Sequence, residues 1–563
     1  MHRAIIADLL TKVVELVETT ESRDDRWFRQ AQPPVSREWL REHQSRGDNQ
    51  WCMVRGRWRV LVVGAALAAC SAEATGPVVP SPQPPSTTSS PSTPPTGDQV
   101  RAAAPSDGST RAAPGAPAAT TAAHPTVPDQ PPRCATEPDT GPRTLTVWHR
   151  FGADVAPDYL RDELAAFQAA HPDIAIELVR PAGRPEELIA AIADLPPSER
   201  PDIVMGASGS VRLQYDSGLF VDPQECTGGV LPASLTDLFP GALHHYTVAG
   251  VVRAAPYNVS VPLLMFDRTR WQAAGLDPDR PPATLDEMYA TIDTLVESGA
   301  ATTGMALYDR SANWLVSIAA AREGRLVLEP ANGHDGPSIQ SIEFEHPGVV
   351  EMLTKLHELK AAGRLLWLRE NRDGTADLLA LIDPTSPSGM TLHTSAALGD
   401  VYRLLDTAGL DHIEVGGAPM PGDTITGGQL GGGAWWLVDR DDPAQTAAAW
   451  HLVDWLMRPE GVGGLAAATG YVPTSPAAAA TEVVQAAWAA HPELRVAYDV
   501  ARSVRADDAS SWQVGFEAEI QRQLELAVAY PIDAGSDPVT ELRKYEQAAL
   551  DWAREYEAAL TTP

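Results

Sequence analysis

Ala255-Pro256-Tyr257-Asn258-Val259-Ser260-Val261-Pro262-Leu263-Leu264-Met265-Phe266-Asp267 leads into Trp271-Gln272-Ala273-Ala274-Gly275-Leu276-Asp277-Pro278 and then Pro281-Pro282-Ala283-Thr284-Leu285-Asp286-Glu287-Met288. Val261 to Phe266 is an apolar run of the right length for one buried strand. Asp267 to Ala274 reads as a short helix, which Gly275 closes. Pro281-Pro282 breaks the chain. Thr284 then caps a new helix, with Glu287 three residues on completing a capping box. A strand, two helices and a rigid proline corner follow from these residues alone.

The same stretch resembles the hinge-crossing segment of the extracellular solute-binding proteins of carbohydrate-type ABC importers. That family writes Pro-(Tyr/Phe)-Asn-x-Ser-x-Pro, an apolar strand, Ala-Gly-Leu-Asp-Pro and Pro-Pro-x-Thr. The nearest resemblance within it is to the glycerol-3-phosphate and glycerophosphodiester binders. It implies an α/β fold of two lobes, like type II, maltose-binding periplasmic proteins, with hinge strands crossing between the lobes.

Upstream, Thr144 to Trp148 alternates as a strand, and Asp158 to Ala170 is a helix with Leu160, Leu164 and Phe167 on one face. Ile174, Ile176 and Leu178 alternate as a second strand, Glu186 to Ala193 is a helix, and Asp202 to Gly206 is a third strand. Strands and helices alternating at this spacing make a parallel sheet. The layout, with Trp148-His149 at the end of the first strand, resembles the first lobe of the same family. Downstream, Ser311 to Ala321, Pro347 to Ala362 and Ala447 to Met457 read as helices, the last ended by Pro459-Glu460. Two more helices, about Phe516 to Val528 and Val539 to Ala559, close the chain. Gly389 to Ser395 resembles the family's second hinge crossing. Gly416 to Gly422 with Gly431 to Val438 resembles the third, and Thr469-Gly470-Tyr471-Val472-Pro473 its Thr-Gly-Tyr-(Leu/Val)-Pro signature. The resemblance spans Thr144 to Ala559 and implies lobes built from residues 143–257 plus 392–438 and 258–391 plus 439–563.

The first part of the chain reads differently. Residues 1–52 form an extension outside any fold, and Met53 is the expected start. Arg55, Arg57 and Arg59 precede an apolar Val60 to Leu67, and Leu67-Ala68-Ala69-Cys70 matches a lipobox. Residues 53–70 thus resemble a bacterial lipoprotein signal peptide, with Cys70 the lipidated N-terminus. The competing reading is a chance apolar segment, against which the basic flank argues. The segment is too short to span a bilayer, which takes about 20 residues. Residues 71–132 are rich in Pro, Ser, Thr and Ala, with no aromatic residue between Gly76 and Pro132. Such a segment cannot bury a core and is expected to be a disordered tether.

At 563 residues the length alone admits three or four domains. A net charge of -31 and a pI of about 4.8 exclude nucleic acid as a natural partner. The four cysteines form no Cys-x-x-Cys pair, so no zinc or redox motif is present. Cys134 and Cys226 are the only cysteines in the exported part. Outside the cytoplasm a disulfide between them is the simplest reading, with two free buried thiols the alternative. Tryptophan (15) outnumbers phenylalanine (8), which suits sugar-stacking platforms and equally suits a compositional habit.

Motifs for catalysis are missing. Gly206-Ala207-Ser208-Gly209-Ser210 lacks the fifth-position glycine of a nucleophile elbow. His244-His245 lacks the i, i+4 spacing of a helical zinc site. No pair of carboxylates stands out as a glycosidase pair, and there is no P-loop or dinucleotide fingerprint. No cofactor or metal is expected, and no enzyme.

The resemblance instead implies a ligand cleft where the two sheets face each other. It assigns Asn258 and Ser260 at the first crossing, Thr394 and Ser395 at the second, and Gly432, Gly433 and Trp435 at the third. Trp148, Ser208, Trp314 and Tyr471 complete the implied set. Each has a bland rival: a tryptophan is as readily core, Gly431 to Gly433 a strand bulge, and Ser260 and Ser395 turn residues. The glycerol-phosphate binders carry a phosphate-binding Arg where the ungapped register places Glu517, with Arg522 the nearest basic residue. Arg184 stands in place of a tyrosine after the second strand. Either Arg184 supplies the charge, or the ligand is a neutral sugar or polyol, which is preferred. The expected molecule is a monomeric, lipid-anchored receptor on the outer face of a bacterial membrane. It would capture a small carbohydrate, polyol or glycerophosphodiester for ABC permease subunits. The alternatives are a surface enzyme acting on glycans, and a sensor or scaffold lipoprotein of the same fold.

Overall fold

The computed structural model describes residues 132–135, 141–151, 155–322, 327–334, 336, 338–369, 375–383, 385–410, 412–422, 430–504 and 512–561. The expected extension, the signal segment with Cys70 and the tether up to residue 131 lie outside the described residues. Two sheets organise the rest. Their strands, in chain order, are β1 (Arg143–Trp148), β2 (Ile174–Val179), β3 (Ile203–Ala207), β4 (Phe220–Val221), β5 (Ala255–Ser260), β6 (Pro262–Asp267), β7 (Met305–Tyr308), β8 (Leu365–Leu368), β9 (Met390–Thr394), β10 (Val415–Pro419) and β11 (Gly431–Val438). The first sheet runs β2-β1-β3-β11-β4, with β5 also paired to β11, and the second runs β8-β7-β9-β6-β10.

The alternation at Thr144 to Trp148 produces β1, which buries Leu145 and Val147 completely. It pairs in parallel with β2 and β3, as its βαβ spacing requires. The apolar run after the first crossing becomes β6, buried at every position. Asp267 then caps the helix Arg268–Ala273, its carboxylate accepting from the backbone N–H of Thr269 (2.9 Å) and Arg270 (3.2 Å). Gly275 follows with φ +79°, the left-handed conformation that closes a helix. The capping box at Thr284 and Glu287 forms and starts the helix Leu285–Glu297.

The chain crosses between the sheets at Val261, the single residue between β5 and β6. It crosses again between β10 and β11, and a third time after the helix Pro459–Ala468. There Val472 donates its N–H to Val259 O at 2.7 Å. Gly389 to Ser395, expected as a crossing, does not cross. β9 pairs with β6 and β7 inside the second sheet. Its end braces the first crossing instead: Ser395 N donates to Val261 O (2.7 Å), and Val261 N donates to Ser395 Oγ (3.2 Å).

The expected lobe boundaries are corrected accordingly. Residues 392–419 belong with the second sheet, because β9 and β10 pair only there. The helices Pro443–Leu456 and Pro459–Ala468, expected in the second lobe, pack on the first, against β1, β5 and the helix Val155–Ala170. Pro459 opens a further helix as its first residue, besides ending the one before. Cys134 and Cys226 are disulfide-bonded, with Cα atoms 5.0 Å apart. Beside them Arg133 pairs with Glu225 and donates to Phe220 O at 2.9 Å, which pins the segment to β4. Among the described residues no helix is long and apolar enough to cross a membrane.

Candidate ligand-binding cleft

Where the two lobes meet, a cavity of ≈ 140 Å³ opens beside the first crossing. Ser208 and His245 line it from the first lobe, together with Ser260 and Gly431. Arg310, Asn313, Trp314 and Thr394 line it from the second. Trp512, Glu517 and Gln521 close it from the segment that opens the helix Glu517–Ala534. Clefts for drug-sized ligands run to roughly 300–1,000 Å³, so this one suits a small ligand.

β-Strand ends and helix starts place these side chains. Ser208 follows directly on β3, and Thr394 ends β9. Arg310, Asn313 and Trp314 sit in the first turns of the helix Asp309–Arg322, just after β7. This is the carboxyl end of a sheet, where α/β folds take their ligands. His245 is held by its Nε2, which donates to Ser208 O at 3.0 Å. Burial and the neighbouring His334 push its pKa down to about 4, so the ring is neutral at pH 7. Burial pushes the Glu517 carboxyl up to about 8, against a single side-chain donor, Gln521 Nε2 at 2.9 Å. Glu517 is half-buried and lines the cavity. Two buried polar atoms on the wall, Asn313 Oδ1 and Trp512 Nε1, have no protein partner among the described residues. Arg310 is the one arginine or lysine on the wall among the described residues, and Glu525 shares it at 3.3 Å.

The structure brings four of the sequence-assigned residues to this cavity: Ser208, Ser260, Trp314 and Thr394. The others lie elsewhere. Trp435 is fully buried in the first-lobe core, its ring 5.4 Å from Tyr257. Ser395 is fully buried and spends its hydroxyl on Val261. Asn258 is buried on β5 opposite Gly433. Gly432 and Gly433 are the strand-bulge alternative: the register shifts between Gly433 and Ala434. At Gly432 φ is +115°, and a Cβ would lie 1.9 Å from Asn258 O. Trp148 is half-buried against the core. Tyr471 is half-buried with its ring 6.2 Å from Phe151. Arg184 starts the helix Pro185–Asp194 and pairs with Glu187 at 3.2 Å, away from the cavity wall. It therefore does not supply a cation to this cavity.

Sequence reasoning missed His245, Arg310, Asn313, Trp512 and Gln521 as lining groups. Asn313 could have been found as the neighbour of Trp314 at the start of a helix that follows a strand. Trp512 lies in an irregular segment and carries no periodic signal. Among the described residues no cluster of His, Cys, Asp and Glu is arranged to hold a metal ion.

Residues 164–493 match a family model described as bacterial extracellular solute-binding protein. The sn-glycerol-3-phosphate-binding periplasmic protein UgpB of Salmonella typhimurium is 24% identical over 355 residues, 60% of this chain and 75% of that one. UgpB from Mycobacterium tuberculosis, solved in complex with glycerophosphocholine, aligns with a TM-score of 0.59 at 18% identity over 74% of this chain and 99% of that one. The sugar-binding protein MalE from Xanthomonas citri aligns with a TM-score of 0.60 at 15% identity over 75% of this chain and all (100%) of that one. The structural likenesses establish the two-lobed fold.

Proposed function

Because the chain belongs to the family of bacterial extracellular solute-binding proteins, we propose that it is the solute-binding subunit of an ABC importer, tethered to the outer face of the cell membrane through a lipid on Cys70. It works outside the cytoplasm as a monomer. Its solute is a small sugar, polyol or glycerol derivative, enclosed as the lobes move about the crossings and handed to permease subunits. It performs no covalent chemistry and carries no cofactor. The relatives' own ligands, glycerol-3-phosphate, glycerophosphocholine and sugars, set this range.

The observation that carries the reading is the cavity between the lobes. Its wall offers two tryptophans, hydroxyls from Ser208, Ser260 and Thr394, and the unpartnered Asn313 Oδ1 and Trp512 Nε1. A hydroxyl-bearing solute presents apolar C–H faces to rings, and donors and acceptors to polar groups. The unpartnered atoms gain most, since a buried polar group without a partner costs about 1–3 kcal/mol.

The test is thermal unfolding of the full chain against mono- and disaccharides, polyols, glycerol-3-phosphate and glycerophosphocholine. A solute at 100 times its dissociation constant stabilises the folded state by about 2.7 kcal/mol. The melting temperature should rise by a few degrees with at least one of them. A flat response across the whole panel would contradict the receptor reading.

A further inference from the structure

Glu517 sits on the cavity wall at the first position of an 18-residue helix of the second lobe. Its carboxyl reaches across to the first lobe and lies over Gly209, where a Cβ would come within 2.9 Å of Oε1. The bare glycine leaves room for it. Its side-chain donor is Gln521 of its own helix, and among the described residues no cation pairs with it. Arg310 on the same wall is already shared with Glu525, and His245 is neutral and committed to Ser208 O. Asn313 Oδ1 adds a second acceptor, buried and unpartnered. The wall thus has spare acceptors, one unpartnered neutral donor in Trp512 Nε1, and a single cation, Arg310, whose Nε is shared with Glu525.

We infer that Glu517 sets the specificity of the cleft, selecting an uncharged ligand with adjacent hydroxyl groups over one that carries a phosphate. The inference rests on the receptor reading above and narrows it. Two neighbouring hydroxyls donate to the two carboxyl oxygens, or one donates while the acid form donates to the other. Burial pushes the carboxyl up to about 8, which favours the neutral acid near pH 7 and lessens its need for a buried counter-charge. A phosphate in the same place would press its charge against a group that ionises near neutrality, with only the shared Arg310 to offset it.

The experiment is calorimetric titration of the full chain and its Glu517→Gln, Glu517→Arg and Gly209→Ala variants at pH 7. The probes are ribitol, sorbitol, myo-inositol, glucose and maltose on one side, and glycerol-3-phosphate and glycerophosphocholine on the other. The native chain should bind at least one uncharged probe and neither phosphate compound. Glu517→Gln should weaken that binding by about tenfold to a hundredfold. Glu517→Arg should abolish it and admit glycerol-3-phosphate. Gly209→Ala displaces the carboxyl without removing it and should weaken the uncharged probe comparably, which keeps the test open if a Glu517 variant fails to fold. A native chain that binds a phosphate compound, or uncharged binding that Glu517→Gln and Gly209→Ala leave unchanged, would overturn the inference while the receptor reading stands. Binding of nothing on either side, by any variant, would overturn both.

Discussion

The full chain with both Cys134 and Cys226 replaced by serine is expected to lose about 4–5 kcal/mol of unfolding free energy. The bond closes a loop of 92 residues, from the segment before β1 to the turn after β4. Loop closure of this length removes roughly 4.6 kcal/mol of chain entropy from the unfolded state. The contacts beside the bond do not replace it. The Arg133–Glu225 pair is partly exposed, with side-chain accessibilities of 33% and 23%, and such pairs contribute about 1 kcal/mol at most. Neither cysteine lines the cavity, so solute affinity at low temperature should survive. Urea unfolding of the oxidised native chain and the double variant, followed by far-ultraviolet circular dichroism, measures the difference. A loss below about 1 kcal/mol would show that the segment carrying Cys134 is held by other contacts.

Trp435→Ala is expected to cost about 3–5 kcal/mol, the range for emptying a large aromatic site in a packed core. Trp435 is 0% exposed, on the face of β11 that packs with Tyr257, and no solute can reach it. Trp436 is equally buried on the opposite face, its ring 5.2 Å from Phe220. Trp435→Phe keeps most of the apolar contact and should cost clearly less. Chemical denaturation of the three proteins gives the ordering. If Trp435→Ala instead weakened solute binding while leaving stability unchanged, the residue would be a ligand contact and its placement in the core would be wrong.

The two tryptophans also show where sequence reading stops. Alternation on a strand says that they point to opposite faces. It cannot say that both faces are covered, because that depends on which helices pack there: the next one, Pro443–Leu456, on the Trp435 side, and the distant Val211–Ser217 on the Trp436 side. The first lobe was legible because its strands and helices alternate locally, and the first crossing because proline, capping and apolar signals fall in one short run. The assignment of β9 and β10 to a lobe was not legible. A short apolar strand pairs as well with either sheet, and only long-range register decides. The site divides the same way. Ser208, Ser260, Trp314 and Thr394 lie at strand ends and a helix start, where topology points. Trp512 and Gln521 arrive from the C-terminal segment, which no local pattern ties to the cleft. Glu517 was visible as a departure from a familiar pattern, and its meaning came only with Gly209 beneath it and the cavity beside it.

Whether the solute sits in this cleft is decided by calorimetric titration of the full chain and its Trp314→Ala variant with whichever solute raises the native melting temperature most. Trp314 lines the cavity and is only partly buried, so its removal should spare the fold. One-site binding is expected of the native chain, with an affinity lower by roughly tenfold in the variant, the ~1.4 kcal/mol that a lost aromatic contact is worth. Equal affinities in the two proteins would place the solute elsewhere and contradict the assignment of this cleft.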